Sequence, residues 1–291
     1  MHGSGLRFVQ ALIAKRPPIP SERPGTMKKT LLSLALFGAV TLTHAADMAP
    51  PAYVTAAVAD SARPAGDTAR DLDRKPAELV AFAGIKPGDK VADLMPGGGY
   101  FTRIFSKVVG PQGHVYAVVP ESIAKAKPQA LDPVKALAAD AAYRNTTVVV
   151  QPYDNIGAAT PLDVVWTSQN YHDVYGAVSV FAVNGTTGPD EAATLDAAAF
   201  KALKPGGVYL VIDHATKPGA GGQYANTLHR IDPATVIAQV QAAGFVLEAR
   251  SELLSNPQDD HDKLIFAPEI KGHTDKFVLK FRKPLAMQKP Q

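Results

Sequence analysis

The 291-residue chain has no cysteine, so disulfides, thiolate nucleophiles and cysteine-ligated metals are all excluded. An apolar run of bilayer length is missing too: Leu31–Val40 is far shorter than the ~20 residues a spanning helix needs. Nor is there an excess of one charge over the body of the chain. The formal net charge of +3 is carried by residues 1–45, which hold six Lys/Arg against one acid, Glu22. The remainder has 24 basic and 26 acidic residues, a balance of −2, which gives nucleic-acid binding no electrostatic support. There is no internal repeat, no H-E-x-x-H pair and no G-x-S-x-G nucleophile elbow, the last of which argues against an α/β-hydrolase. The composition that remains, 46% hydrophobic and 20% charged, is that of a globular chain able to form a core without cross-links.

The basic N-terminal segment has the layout of an export signal. Lys28 and Lys29 precede the apolar Leu31–Val40, and Thr43-His44-Ala45 offers small residues at both positions a signal peptidase inspects. Cleavage after Ala45 and a periplasmic destination are expected, with no stable membrane anchor, and the residues before Met27 read as an upstream start. The chain then divides into the leader (1–45), an Ala/Pro-rich segment expected to be an extended arm (46–66) and one folded domain (67–291).

Within the domain, Leu72, Leu79, Val80 and Phe82 recur at helical spacing up to Gly84. Short β-branched runs then alternate with helical stretches. The predicted strands are Val91–Leu94, Val115–Val119, Thr147–Gln151, Asp163–Thr167 and Val208–Asp213. The predicted helices are Phe101–Val109, Pro133–Tyr143, Ala192–Leu203 and Pro233–Ala243. Such alternation implies an α/β fold with a parallel sheet and helices on both faces. Phe245–Leu254 and Lys276–Arg282 read as two further strands without a helix between them, which suits a closing antiparallel pair.

The turn after the first strand, in "VADLMPGGGY" (Val91–Tyr100), concentrates three glycines where open α/β sheets bind ligands. Without Cβ atoms, Gly97, Gly98 and Gly99 let backbone N–H groups approach a ligand, and the following helix adds its positive dipole end. A P-loop would need Gly-Lys-Ser/Thr, but Gly99 is followed by Tyr100 and Phe101. A dinucleotide fingerprint begun at Gly97 and Gly99 meets Thr102 at its third position. The remaining pattern, an acid followed by small residues, resembles the first motif of class I S-adenosylmethionine-dependent methyltransferases. Asp93, Gly97 and Gly99 match that motif, whereas Met95 stands where its first glycine is expected.

Three further stretches carry the resemblance over Asp67–Arg282. "LKPGG" (Leu203–Gly207) ahead of "VYLVID" resembles the entry to the fifth strand, and "AAGF" (Ala242–Phe245) the entry to the sixth. "LDVVWTSQNYHD" (Leu162–Asp173) resembles the fourth strand and the polar motif after it, most closely that of exported bacterial predicted methyltransferases with a Tyr-His-Asp element. The resemblance implies a Rossmann-like methyltransferase fold with a mostly parallel seven-stranded sheet, S-adenosylmethionine as cofactor and a small nucleophile as substrate. It further implies cofactor contacts from Asp93, Met95, Gly97, Gly98, Gly99, Asp154, Asn170 and, in place of the usual ribose-binding acid at Val119, Glu121.

Five polar residues follow the fourth and fifth strands: Tyr171, His172 and Asp173, then Asp213 and His214. Adjacent strands would bring His172 and Asp213 together at the carboxyl edge of the sheet. One reading makes His172 a general base oriented by Asp173 or Asp213, with Tyr171 positioning the nucleophile. A second joins His172, Asp213, His214, His229 and His261 as ligands of a divalent metal, although no fixed local metal motif is present. A third has these histidines bonding loop backbone. Loss of the cofactor, with the histidines serving a binding or metal-dependent function, is the alternative to methyl transfer.

Overall fold

A computed structural model describes residues 49–157, 161–176 and 189–285. The leader and its expected cleavage site lie outside them. Seven strands form one sheet: β1 (Lys90–Leu94), β2 (His114–Pro120), β3 (Thr146–Gln151), β4 (Leu162–Ser168), β5 (Leu203–His214), β6 (Val246–Ser251) and β7 (Lys276–Arg282). Their order is β3-β2-β1-β4-β5-β7-β6. The first five are parallel, while β7 runs antiparallel to both β5 and β6, the closing pair expected from the tail.

Helices cover both faces, which is why the central strands read as continuous apolar runs. The helices are α1 (Ala52–Val58), α2 (Ala65–Thr68), α3 (Asp71–Arg74), α4 (Pro76–Ala83), α5 (Tyr100–Val109), α6 (Glu121–Ala126), α7 (Asp132–Ala139), α8 (Tyr171–Tyr175), α9 (Pro189–Ala202) and α10 (Pro233–Ala242). On one face, Val91, Val164, Trp166, Leu210 and Ile212 pack against Val54, Leu79, Ile104 and Phe105 from α1, α4 and α5. On the other, Ala92, Leu94, Val165, Tyr209 and Val211 pack against α8, α9 and α10 through Val174, Leu195, Val236 and Val240. The two-residue period of each strand therefore feeds both cores. Among the described residues, no helix is long and apolar enough to cross a membrane.

Two expectations are corrected. Residues 52–58 are helical rather than an extended arm, with Val54 and Ala57 buried one helical turn apart against α5. The alanines that suggested low order are strong helix formers, and Pro51 caps the helix at a place where its missing N–H costs nothing. The periodicity that included Leu72 is broken at Lys75, whose φ of 43° and following Pro76 reset the helical phase, leaving Leu72 87% exposed.

The order reverses at β1, which is flanked by β2 and β4 and sends its chain onward into α5. A crevice is expected beyond the carboxyl ends of β1 and β4. The glycine turn and the Tyr-His-Asp element both lie there.

Candidate functional site

The turn from β1 to α5 has backbone that few side chains accept. Met95, Gly97 and Gly99 have φ of 53°, 55° and 80°. Met95 therefore adopts the left-handed conformation suited to the glycine expected there, at a cost in strain. Its backbone is held on both sides: Met95 N–H donates to the Val118 carbonyl at 2.8 Å, and the Asn170 amide donates to the Met95 carbonyl at 3.2 Å. Arg103 braces the next peptides by donating to the Gly98 carbonyl at 2.8 Å and to Asp67 at 3.0 Å. The turn is thus fixed before any ligand arrives.

Over it opens a cleft of about 460 Å³, within the usual range for small-molecule sites. Gly97 and Gly98 form its floor, with Val119 and Ile123 on one side and Ser168, Gln169, Asn170 and Asp173 on another. A Cβ built on Gly97 or Gly98 meets nothing within 4 Å, so the space above their backbone is free. Arg70, just before α3, and Arg74, its last residue, complete the cleft, their guanidinium groups 4.9 and 4.7 Å from the Tyr100 ring centre. Arg74 has no carboxylate partner among the described residues, and burial next to Arg70 pushes its pKa down. Such an arginine suits an anionic group, and sequence reasoning missed both arginines because α3 reaches the cleft only through tertiary packing.

The far wall is polar. Asp213, at the end of β5 and fully buried, accepts the His172 backbone N–H at 2.6 Å and the His214 backbone N–H at 2.8 Å. Its Oδ1 also lies 2.7 Å from His172 Nδ1. The other ring nitrogen, His172 Nε2, lies 3.2 Å from His229 Nδ1 and 3.3 Å from Asp173 Oδ1. Burial alone would lower the pKa of His172, but Asp213 and Asp173 outweigh it and raise it to about 10. The two carboxylates thus favour the protonated ring, with one carboxylate against each ring nitrogen. The neighbouring carboxylates therefore move His172 upward from the unperturbed pKa expected of it.

The remaining expected residues are placed as follows. Tyr171 turns into the core and donates to Asp196 Oδ2 at 2.7 Å, so it leaves the cleft. His214 is buried, its Nδ1 paired with the Thr274 hydroxyl at 2.7 Å, and His261 pairs with Asp275 at 3.0 Å; neither joins the donors around His172. Glu121 pairs with Lys125 on the surface at 2.8 Å, and Asp154 is exposed on the loop after β3. Met95 also lines a small apolar recess of about 10 Å³, with Leu94, Val118, Tyr153 and Ile156.

Asp93 is 3% exposed and does not line the cleft; it accepts the Thr102 hydroxyl at 2.6 Å in the first turn of α5. Burial raises its pKa to about 7 despite the bonds from Thr102. A carboxyl raised above its unfolded value of 3.8 contributes stability that is complete below pH 4 and lost as pH rises to 7. Asp196, also raised to about 7 by burial, acts in the same direction. Asp93→Asn is expected to remove about half of the fall in stability between pH 4 and 7, roughly 2–4 kcal/mol. Urea midpoints of wild type and variant at pH 4.5 and pH 8 check this, and parallel curves would refute it.

No protein-family model matches the chain. A protein-L-isoaspartate O-methyltransferase of Ignicoccus hospitalis is 36% identical over 90 residues, a match spanning 28% of this chain and 40% of that protein. Among solved structures, an S-adenosylmethionine-dependent methyltransferase from Aquifex aeolicus superposes with a TM-score of 0.52 at 15% identity, over 75% of this chain and 94% of that one. An arsenic(III) S-adenosylmethionine methyltransferase from Chlamydomonas reinhardtii gives 0.51 at 19% identity, over 83% and 76%. The fold is the Rossmann-like methyltransferase fold, with its seven-stranded, mostly parallel sheet flanked by helices.

Proposed function

We propose that the chain is an S-adenosylmethionine-dependent methyltransferase acting on a small nucleophile, exported and cleaved after Ala45. The observation that carries the reading is the open glycine floor: two Cβ-free peptides, pre-set by Asn170 and Arg103, beneath an empty volume of about 460 Å³ at the reversal of strand order. The match to the Ignicoccus hospitalis enzyme supports it. The donor set fits the cofactor, because the cleft joins backbone N–H groups and two arginines for a carboxylate end to the apolar Val119 and Ile123 for a less polar end. Gly97, Gly98, Arg70 and Arg74 would hold the amino-acid end.

When bound, S-adenosylmethionine supplies an electrophilic methyl group. The protein's own task is to hold the nucleophile and take its proton. Asp173 lines the cleft, with His229 beside it at 3.2 Å, and these two side chains can accept a proton there. A balance of −2 over residues 46–291 agrees with a substrate other than nucleic acid.

Calorimetric titration of the full chain with S-adenosylmethionine, and separately with its demethylated product, tests the proposal. One site of micromolar affinity for each is expected. Absence of heat at millimolar ligand would sink the reading and leave the fold untouched.

A further inference from the structure

Three candidate ligand atoms from two well-separated parts of the chain, residues 172–173 and 229, meet at one point of the cleft wall. His172 Nε2, Asp173 Oδ1 and His229 Nδ1 form a triangle with edges of 3.2, 3.2 and 3.3 Å. We infer that His172, Asp173 and His229 bind a divalent first-row transition metal.

The edges match the chemistry. Ligands about 2.0 Å from a tetrahedral zinc are about 3.3 Å apart, so a metal can sit just off the plane of this triangle without moving the donors. Two imidazoles and one carboxylate on a single face make up the facial set that transition metals favour, whereas calcium and magnesium prefer all-oxygen shells.

The surroundings supply what such a site needs. Asp213 Oδ1, 2.7 Å from His172 Nδ1, orients the ring so that Nε2 faces the triangle, the carboxylate–histidine–metal arrangement. His229 is held at φ 55° by its neighbour Arg230, whose buried guanidinium grips Asp259 at 2.8 and 3.1 Å and the carbonyls of Ala215 and Lys263. Charge points the same way: among the described residues, neither Asp173 nor Asp213 has an ion pair with lysine or arginine. A bound metal would take the place of the His172 proton as the positive partner of these two carboxylates. Because Asp173 lines the cleft and the His229 side chain is 24% exposed, further coordination positions would open toward a ligand, as in catalytic sites.

The inference does not rest on methyl transfer. The test uses the full chain without a polyhistidine tag, stripped with chelator and titrated calorimetrically with zinc, with magnesium as competitor. One equivalent of zinc should bind with micromolar or tighter affinity, undisturbed by magnesium. Asp173→Asn and His229→Gly, the latter matching the φ of 55°, should each weaken zinc by roughly 100-fold or more while keeping the thermal midpoint near wild type. Absence of a saturable zinc site in wild type would overturn the inference. So would unchanged zinc affinity in both variants, which would place the metal elsewhere. S-adenosylmethionine titrated into the same preparation reports on the methyltransferase reading separately.

Discussion

Gly98→Leu is expected to abolish S-adenosylmethionine binding while leaving the fold intact. Gly98 is the one glycine of the turn outside the left-handed region, and a Cβ added there meets no atom within 4 Å. A leucine at this position would therefore occupy the cleft rather than strain the backbone or the core. Affinity should fall at least ~100-fold, about 2.7 kcal/mol, with stability within about 0.5 kcal/mol of wild type. Calorimetry and urea unfolding read the two quantities independently.

Gly99 provides the contrast. It has φ 80°, and a Cβ there would lie 2.6 Å from Leu137 Cδ1, so Gly99→Leu should damage folding itself. Lost binding in that variant would say nothing about the ligand. Wild-type affinity in Gly98→Leu, by contrast, would mean that the ligand does not pass over the glycine turn.

The sheet was legible because its signal is local. Thr147–Gln151 announces a strand by β-branching and Lys276–Arg282 by its Phe-Val-Leu core and a second Phe, and β7 spans the residues expected. Convergence of His172 with Asp213 was legible for a topological reason, since both follow neighbouring parallel strands, β4 and β5. His229 carries no comparable signal. It lies on a loop 57 residues from His172 and reaches it through a left-handed backbone and a buried arginine. Met95 was legible as an anomaly, but its remedy, the amide of Asn170 arriving from the turn between β4 and α8, was not. The upward direction of the His172 pKa was not legible because the simultaneous approach of Asp173 and Asp213 to opposite ring nitrogens is set by the folded loop, not by sequence order. Patterns of one element show in the sequence; contacts made by two loops do not.

The second large effect is expected at Arg230, whose side chain and that of its partner Asp259 are 0% and 1% exposed. Arg230→Met should cost about 3–5 kcal/mol, because it leaves a buried carboxylate without its cation and strips donors from the carbonyls of Ala215 and Lys263. Arg230→Lys keeps the charge but loses the two-pronged fork, and should still cost at least about 2 kcal/mol if geometry matters. The effect also has a pH signature. Burial would raise the pKa of Asp259, but Arg230 and the backbone N–H groups of Asp275 and His261 outweigh it and hold it below 3.8. A lowered carboxyl contributes stability above its unfolded pKa and loses it as pH falls through the folded value. The difference between wild type and Arg230→Met should therefore be full at pH 6 and shrink below pH 4, as read from urea midpoints across that range. A difference that is flat with pH would assign the cost to lost packing of the arginine stem. If stability falls as expected, zinc affinity in the variant decides whether Arg230 also serves the site: weaker zinc would mean that the guanidinium positions His229, and unchanged zinc would confine its role to the fold.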